Sequence, residues 1–153
     1  MSEQFIDNFV ERELRENGVY VSVTKGASMQ PLFRTNRDVI VLRAPETEPK
    51  KYDVALYRSY AGKYILHRII KVKKNEYIIR GDNTFVLEHV SKDRILAVLT
   101  EFTRKGKKHS VNDLSYKIYS RIWNFIYPVR LLYVKARRFA GKIYHRIFKR
   151  KQG

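Results

Sequence analysis

The sequence contains no cysteine, which excludes disulfides, thiolate zinc sites and a thiol nucleophile. No run approaches the ~18 to 20 apolar residues that a membrane-crossing helix needs; the longest uncharged segment of the C-terminal quarter is Ile122 to Val129. The N-terminus, MSEQFIDNFVERELRENG, lacks the basic stretch and apolar core of a secretory signal. The expectation is a cytoplasmic chain without signal peptide or transmembrane helix, at most peripheral at a membrane. Acid is scarce at the other end, where Asp113 stands alone among eleven Lys or Arg between Val111 and the C-terminus. No metal or cofactor is expected.

What is present fits one main domain in 153 residues. A net charge of +17 calls for an acidic neighbour such as phosphate, lipid headgroup or protein. Phe5, Ile6, Phe9, Val10 and Leu14 recur on one face between Glu3 and Asn17, predicting an amphipathic helix capped by Ser2 and stopped at Asn17-Gly18. From Val19 onward the pattern changes to short β runs: Val19 to Thr24, Asp38 to Arg43, Val54 to Ser59, Tyr64 to Val72, Glu76 to Arg80 and Ile95 to Phe102. They are too closely spaced for crossover helices. Turns at Tyr60-Ala61-Gly62-Lys63 and Lys73-Lys74-Asn75 make Val54 to Arg80 a three-stranded meander.

The fold class is therefore mainly β, with an N-terminal amphipathic helix and a basic helical tail. Residues 1–18 form the helix, 19–103 the β domain, 104–110 a linker around RKGKKH, and 111–153 the tail. In the tail, apolar residues recur every three or four positions and basic residues mostly fill the rest, with a kink or break expected at Pro128. Trp123, Phe125, Ile126, Phe139, Ile143 and Phe148 against Lys and Arg make the pattern of an interfacial anchor on an anionic membrane. The tail tyrosines could stack on bases, but no recognition fold accompanies them, and nucleic acid is not the expected partner.

One stretch, Gly26-Ala27-Ser28-Met29-Gln30-Pro31, sets a serine between flexible and rigid backbone. A serine becomes a nucleophile when a base takes its proton and donors receive the oxyanion. Of the four histidines, His109 and His145 lie in basic surroundings, whereas His67 interrupts the apolar strand Tyr64-Ile65-Leu66-His67-Arg68-Ile69-Ile70. Alternation puts it on a face with Ile65 and Ile69, at least half buried; taken alone, it reads as a satisfied core histidine.

The ordered set GxSMxP, Leu-His-Arg-Ile-Ile and Gly81-Asp82-Asn83 resembles the superfamily of type I signal peptidases and the self-cleaving repressors of the SOS response, over about Val21 to Leu99. The resemblance implies a signal-peptidase-like β domain, with Ser28 as nucleophile and His67 as general base. The Leu-His-Arg context is closest to the histidine-type enzymes of the endoplasmic reticulum and archaea. It implies Asp82 as the acid that orients His67, with Glu88 as the rival and Asp93 behind. Gly26 and Ala27 would shape the oxyanion site, where signal peptidases carry a serine hydroxyl at the position of Gly26. The glycine of the family's Gly-Asp-Val is replaced in Tyr52-Asp53-Val54.

Two functional expectations follow. One is a serine endopeptidase that cleaves a leader or signal-like peptide or preprotein. The alternative is a non-catalytic module on the same fold, binding membrane or nucleic acid through its basic tail.

Overall fold

The computed structural model describes residues 3–149. Helix α1 (Glu3–Asn17) precedes β1 (Val19–Val23), β2 (Val39–Arg43), β3 (Val54–Arg58), β4 (Tyr64–Val72), β5 (Glu76–Arg80), β6 (Glu88–Ser91), β7 (Ile95–Arg104) and β8 (Lys107–Ser110). Two helices follow, α2 (Leu114–Phe125) and α3 (Tyr127–Lys149). The fold is mainly β: one antiparallel sheet in the order β1-β2-β7-β3-β4-β5-β6, with β8 added to β7. The meander β3-β4-β5 forms as expected.

Alternation divides the strands between two cores. Val54 and Leu56 of β3, and Ala97 and Leu99 of β7, face a cluster closed by Val10 and Leu14 of α1, by Met29, Leu32 and Phe33 of the serine loop, and by Tyr116 of α2. Their neighbours Ala55 and Tyr57 face the opposite way, onto Ile69, Tyr77, Ile79 and Val90. All residues of this second cluster come from the sheet itself, so its curvature encloses them. Register shifts at Val41/Leu42, Leu56/Tyr57 and Ile69/Lys71 supply local bends.

Helix α1 ends where expected, with Gly18 in the left-handed region (φ 65°) and its N–H on the Leu14 carbonyl at 3.1 Å. The expected cap, Ser2, lies outside the described residues.

One expectation is corrected. Residues 104–110 are a hairpin rather than a linker: β7 runs on to Arg104, turns at Lys105-Gly106 with φ of 51° and 76°, and returns as β8. Its lysines are tolerated because β8 is an exposed edge strand, which needs no apolar face. The tail breaks as expected near Pro128: two helices meet at Ile126, and Pro128 falls in the first turn of α3, where a missing N–H leaves no bond unmade. Helix α2 also packs on the sheet through buried Tyr116 and Ser120.

Candidate active site

Thr24 to Asp38 form a pinned loop. The Asp38 carboxylate accepts the Arg34 N–H at 2.8 Å and pairs with Arg37, and the Thr24 hydroxyl donates to the Arg34 carbonyl at 2.8 Å. Gly26 has φ of 74°, a conformation that favours glycine, and its carbonyl accepts the Thr35 hydroxyl at 2.5 Å. Met29 and Phe33 are buried beneath the loop, anchoring Ser28 at its half-exposed crest. The Gln30-Pro31 peptide is cis.

His67 sits on β4 and is only 7% exposed. Its Nδ1 is 2.8 Å from Glu88 Oε1, while Tyr57 donates its hydroxyl to Glu88 Oε2 at 2.7 Å and lies 3.4 Å from the same Nδ1. A carboxylate against Nδ1 holds the proton there and leaves Nε2 with its lone pair. Burial pushes the imidazole below its ordinary pKa, and the Glu88 charge opposes that shift only in part. Neutral His67 is thus favoured as a proton acceptor. The Tyr57 hydroxyl, buried and donating to a carboxylate, is held well above its ordinary pKa and stays protonated.

Gly81 forms the seam between serine and histidine. A Cβ placed there would lie 2.7 Å from the Ser28 carbonyl oxygen and 2.9 Å from His67 Nε2, so those two atoms flank one small volume that only a glycine leaves open. The turn also grips the serine loop: Asn83 donates its N–H to the Ser28 carbonyl at 2.7 Å and its side-chain amide to the Ala27 carbonyl at 3.2 Å. A direct hydrogen bond from Ser28 Oγ to His67 is not among those formed by the described residues.

Asp82 is not brought to the imidazole. It makes a bidentate pair with Arg68, Nε to Oδ1 and Nη2 to Oδ2 both at 2.8 Å, and accepts the Tyr119 hydroxyl at 3.1 Å. The reason is the pleat: His67 and Arg68 are neighbours on β4 and point to opposite faces. Asp82 serves the Arg68 face, and Glu88, the first residue of β6, reaches His67 Nδ1. Asp93 lies in the 3₁₀ turn after β6. Gly81 and Asn83 stood in the sequence motif without roles of their own, and Tyr57 was not singled out. Tyr57 could have been found by alternation, since it shares a strand face with Ala55, the register partner of His67.

A cleft of about 330 Å³ has Ser28 in its wall. It runs between Ser22 to Gly26 on one side and Ile65 and Leu66 on the other, floored by Met29, Ile40 and Leu56. Both walls offer main-chain edges. Strand β1 pairs only with β2 among the described strands, and β4 meets β5 only from Arg68 onward, which leaves the Ile65–His67 edge open.

Three substitutions separate these roles. Gly81→Ala should reduce any activity of the site by roughly 100-fold through misplacement of reacting groups, measured with thermal unfolding alongside. Asp82→Ala should cost about 3 to 5 kcal/mol in urea unfolding, because it strands a buried guanidinium. Glu88→Gln should leave stability close to wild type, since its side chain is 31% exposed.

No protein-family model matches the chain, and no curated protein matches it.

Proposed function

We propose that this chain is a serine endopeptidase in which Ser28 is the nucleophile, His67 the general base and Glu88 the acid that orients His67. The observation that carries the reading is the line Glu88, His67 Nδ1, His67 Nε2, Gly81, Ser28, in which a buried imidazole has a carboxylate at Nδ1 while Nε2 and the Ser28 carbonyl oxygen both lie against Gly81. In free enzymes the bond from nucleophile to base is often long and tightens only with substrate bound.

The chemistry follows from that line. Ser28 Oγ attacks the scissile carbonyl carbon as its proton passes to Nε2, and Glu88 stabilises the imidazolium that forms. The C–N bond then breaks and Nε2 gives the proton to the leaving amine. Water, deprotonated by the same nitrogen, hydrolyses the acyl-enzyme and restores Ser28. The oxyanion falls beside the Ser28 main chain, where Gly26 leaves the approach open. No serine hydroxyl stands at position 26, and removal of one oxyanion donor costs ~2.7 to 4 kcal/mol in other hydrolases, so turnover is expected to be slow.

The substrate is an extended peptide that adds as a strand between the open edges of β1 and β4. Resemblance to the signal peptidases implies small residues before the cut, as in a leader or signal-like peptide.

Peptides with small residues before a cut site, incubated with wild type, Ser28→Ala and His67→Ala, test the reading by mass spectrometry of products. Both variants should lose about four or more orders of magnitude in rate. Undiminished cleavage by Ser28→Ala contradicts it. The acid limb of kcat/KM should lie below pH 6.5, since burial lowers the His67 pKa and activity is lost as pH falls through it. Folding stability follows the same sign: the contribution of neutral His67 is complete above about pH 6.5 and declines as pH drops through the folded value.

A further inference from the structure

The two tail helices are apolar on opposed faces, and the fold uses only one. Tyr116, Tyr119, Ser120 and Trp123 turn toward the β domain: Tyr119 donates to the Asp82 carboxylate, and Trp123 Nε1 donates to the Asp82 carbonyl at 2.9 Å. Trp123, expected on the lipid-facing side, is therefore an inward residue. On the far side Leu114, Ile118, Phe125, Val129, Leu132 and Phe139 form a stripe at helical spacing that contributes nothing to the core. Phe125 is 84% exposed, Leu114 71% and Leu132 69%.

We infer that α2 and α3 lie in the interface of an anionic lipid membrane, with this stripe inserted among the acyl chains. Leu114, Ile118 and Phe125 on α2, and Val129, Leu132 and Phe139 on α3, recur at spacings of three, four or seven residues, which puts them on one face of each helix, an apolar surface of the kind an interfacial helix presents. Its charges are of one sign. Exposed Lys117, Arg121 and Lys135 flank it, and no acid follows Asp113. A second copy docked along the stripe would bring these cations against their own kind, whereas anionic headgroups complement them. No helix among the described residues is long and apolar enough to cross a membrane, so the helices lie along it. The side chains of Ile143 and Phe148, expected to extend the stripe, lie outside the described ones.

Attachment is also transmitted. Trp123 and Arg130 both donate to the Asp82 carbonyl, at 2.9 and 3.0 Å, so the membrane-bound helices hold the turn that contains Gly81 and Asn83. The orientation of the Ser28 cleft against the bilayer is then fixed by hydrogen bonds rather than by a tether.

Co-sedimentation of the full chain with equimolar phosphatidylglycerol and phosphatidylcholine vesicles, and with phosphatidylcholine alone, tests the inference. Wild type should sediment with the anionic vesicles and about tenfold or more weakly with the neutral ones. Phe125→Glu combined with Leu132→Glu should reduce binding by about tenfold or more while leaving thermal unfolding unchanged, because both side chains are exposed. Ser28→Ala should bind as wild type, which keeps this outcome separate from the peptidase reading. Three results overturn the inference: wild type that stays in the supernatant with anionic vesicles, undiminished binding by the double variant, or a lipid-free dimer in sedimentation velocity that the double variant dissolves.

Discussion

The buried ion pair between Arg68 and Asp82 is the constraint on which the rest depends. Arg68 is fully buried, and a guanidinium removed from water costs several kcal/mol unless its donors are met. Here they are: the bidentate Asp82 carboxylate, the Tyr52 carbonyl, the Ser120 hydroxyl and the Tyr116 hydroxyl, the last three all on Nη1. Those partners come from the turn after β5, the segment before β3, and α2. One charge thus joins the central meander to its own connecting turns and to the first tail helix. Its value lies in register, since meeting all three guanidinium nitrogens in a rigid fork admits few alternative arrangements.

From this pair, order passes to the candidate active site along the backbone. With Asp82 fixed, Gly81 is held against the His67 ring and Asn83 against the Ser28 carbonyl. Ser28 and His67 lie on distant parts of the chain and share no element; what brings them together is the three-residue turn between them. The opposite face of β4 carries the second requirement, a buried imidazole with an acid at Nδ1 and a tyrosine steadying that acid. Two adjacent residues on one strand, His67 and Arg68, therefore need two separate carboxylates.

That division explains what was legible in the sequence. Six strands followed from alternation and turn chemistry, because each carries its own apolar face. β6 did not, as Glu88-His89-Val90-Ser91 has one buried apolar residue and gains its extended form from pairing with β5. β8 was hidden by charge, and the available signal was Gly106 after Lys105, a pair with positive φ suited to a tight hairpin. At the site, the serine loop and His67 were readable from residue type, but the acid was not. Motif position favoured Asp82 over Glu88. The strand pleat argued otherwise, since a buried Arg68 beside His67 had to claim an acid of its own. The docking of α2 was similarly masked: its inward face is built from Tyr116, Ser120, Trp123 and Asn124, polar-tipped groups whose inward role depends on the partners that Arg68, Arg80 and Asp82 supply.

Activation of Ser28 by His67 and Glu88, as proposed, can be read without knowledge of the substrate. Intact-mass measurement after exposure to a serine-directed fluorophosphonate reads nucleophile activation at a single residue. One adduct per chain is expected, mapped to Ser28, formed much more slowly in His67→Ala and Glu88→Gln and fading as pH falls below 6.5. No adduct on wild type, or an adduct on Ser28 that forms equally fast in His67→Ala, would contradict it.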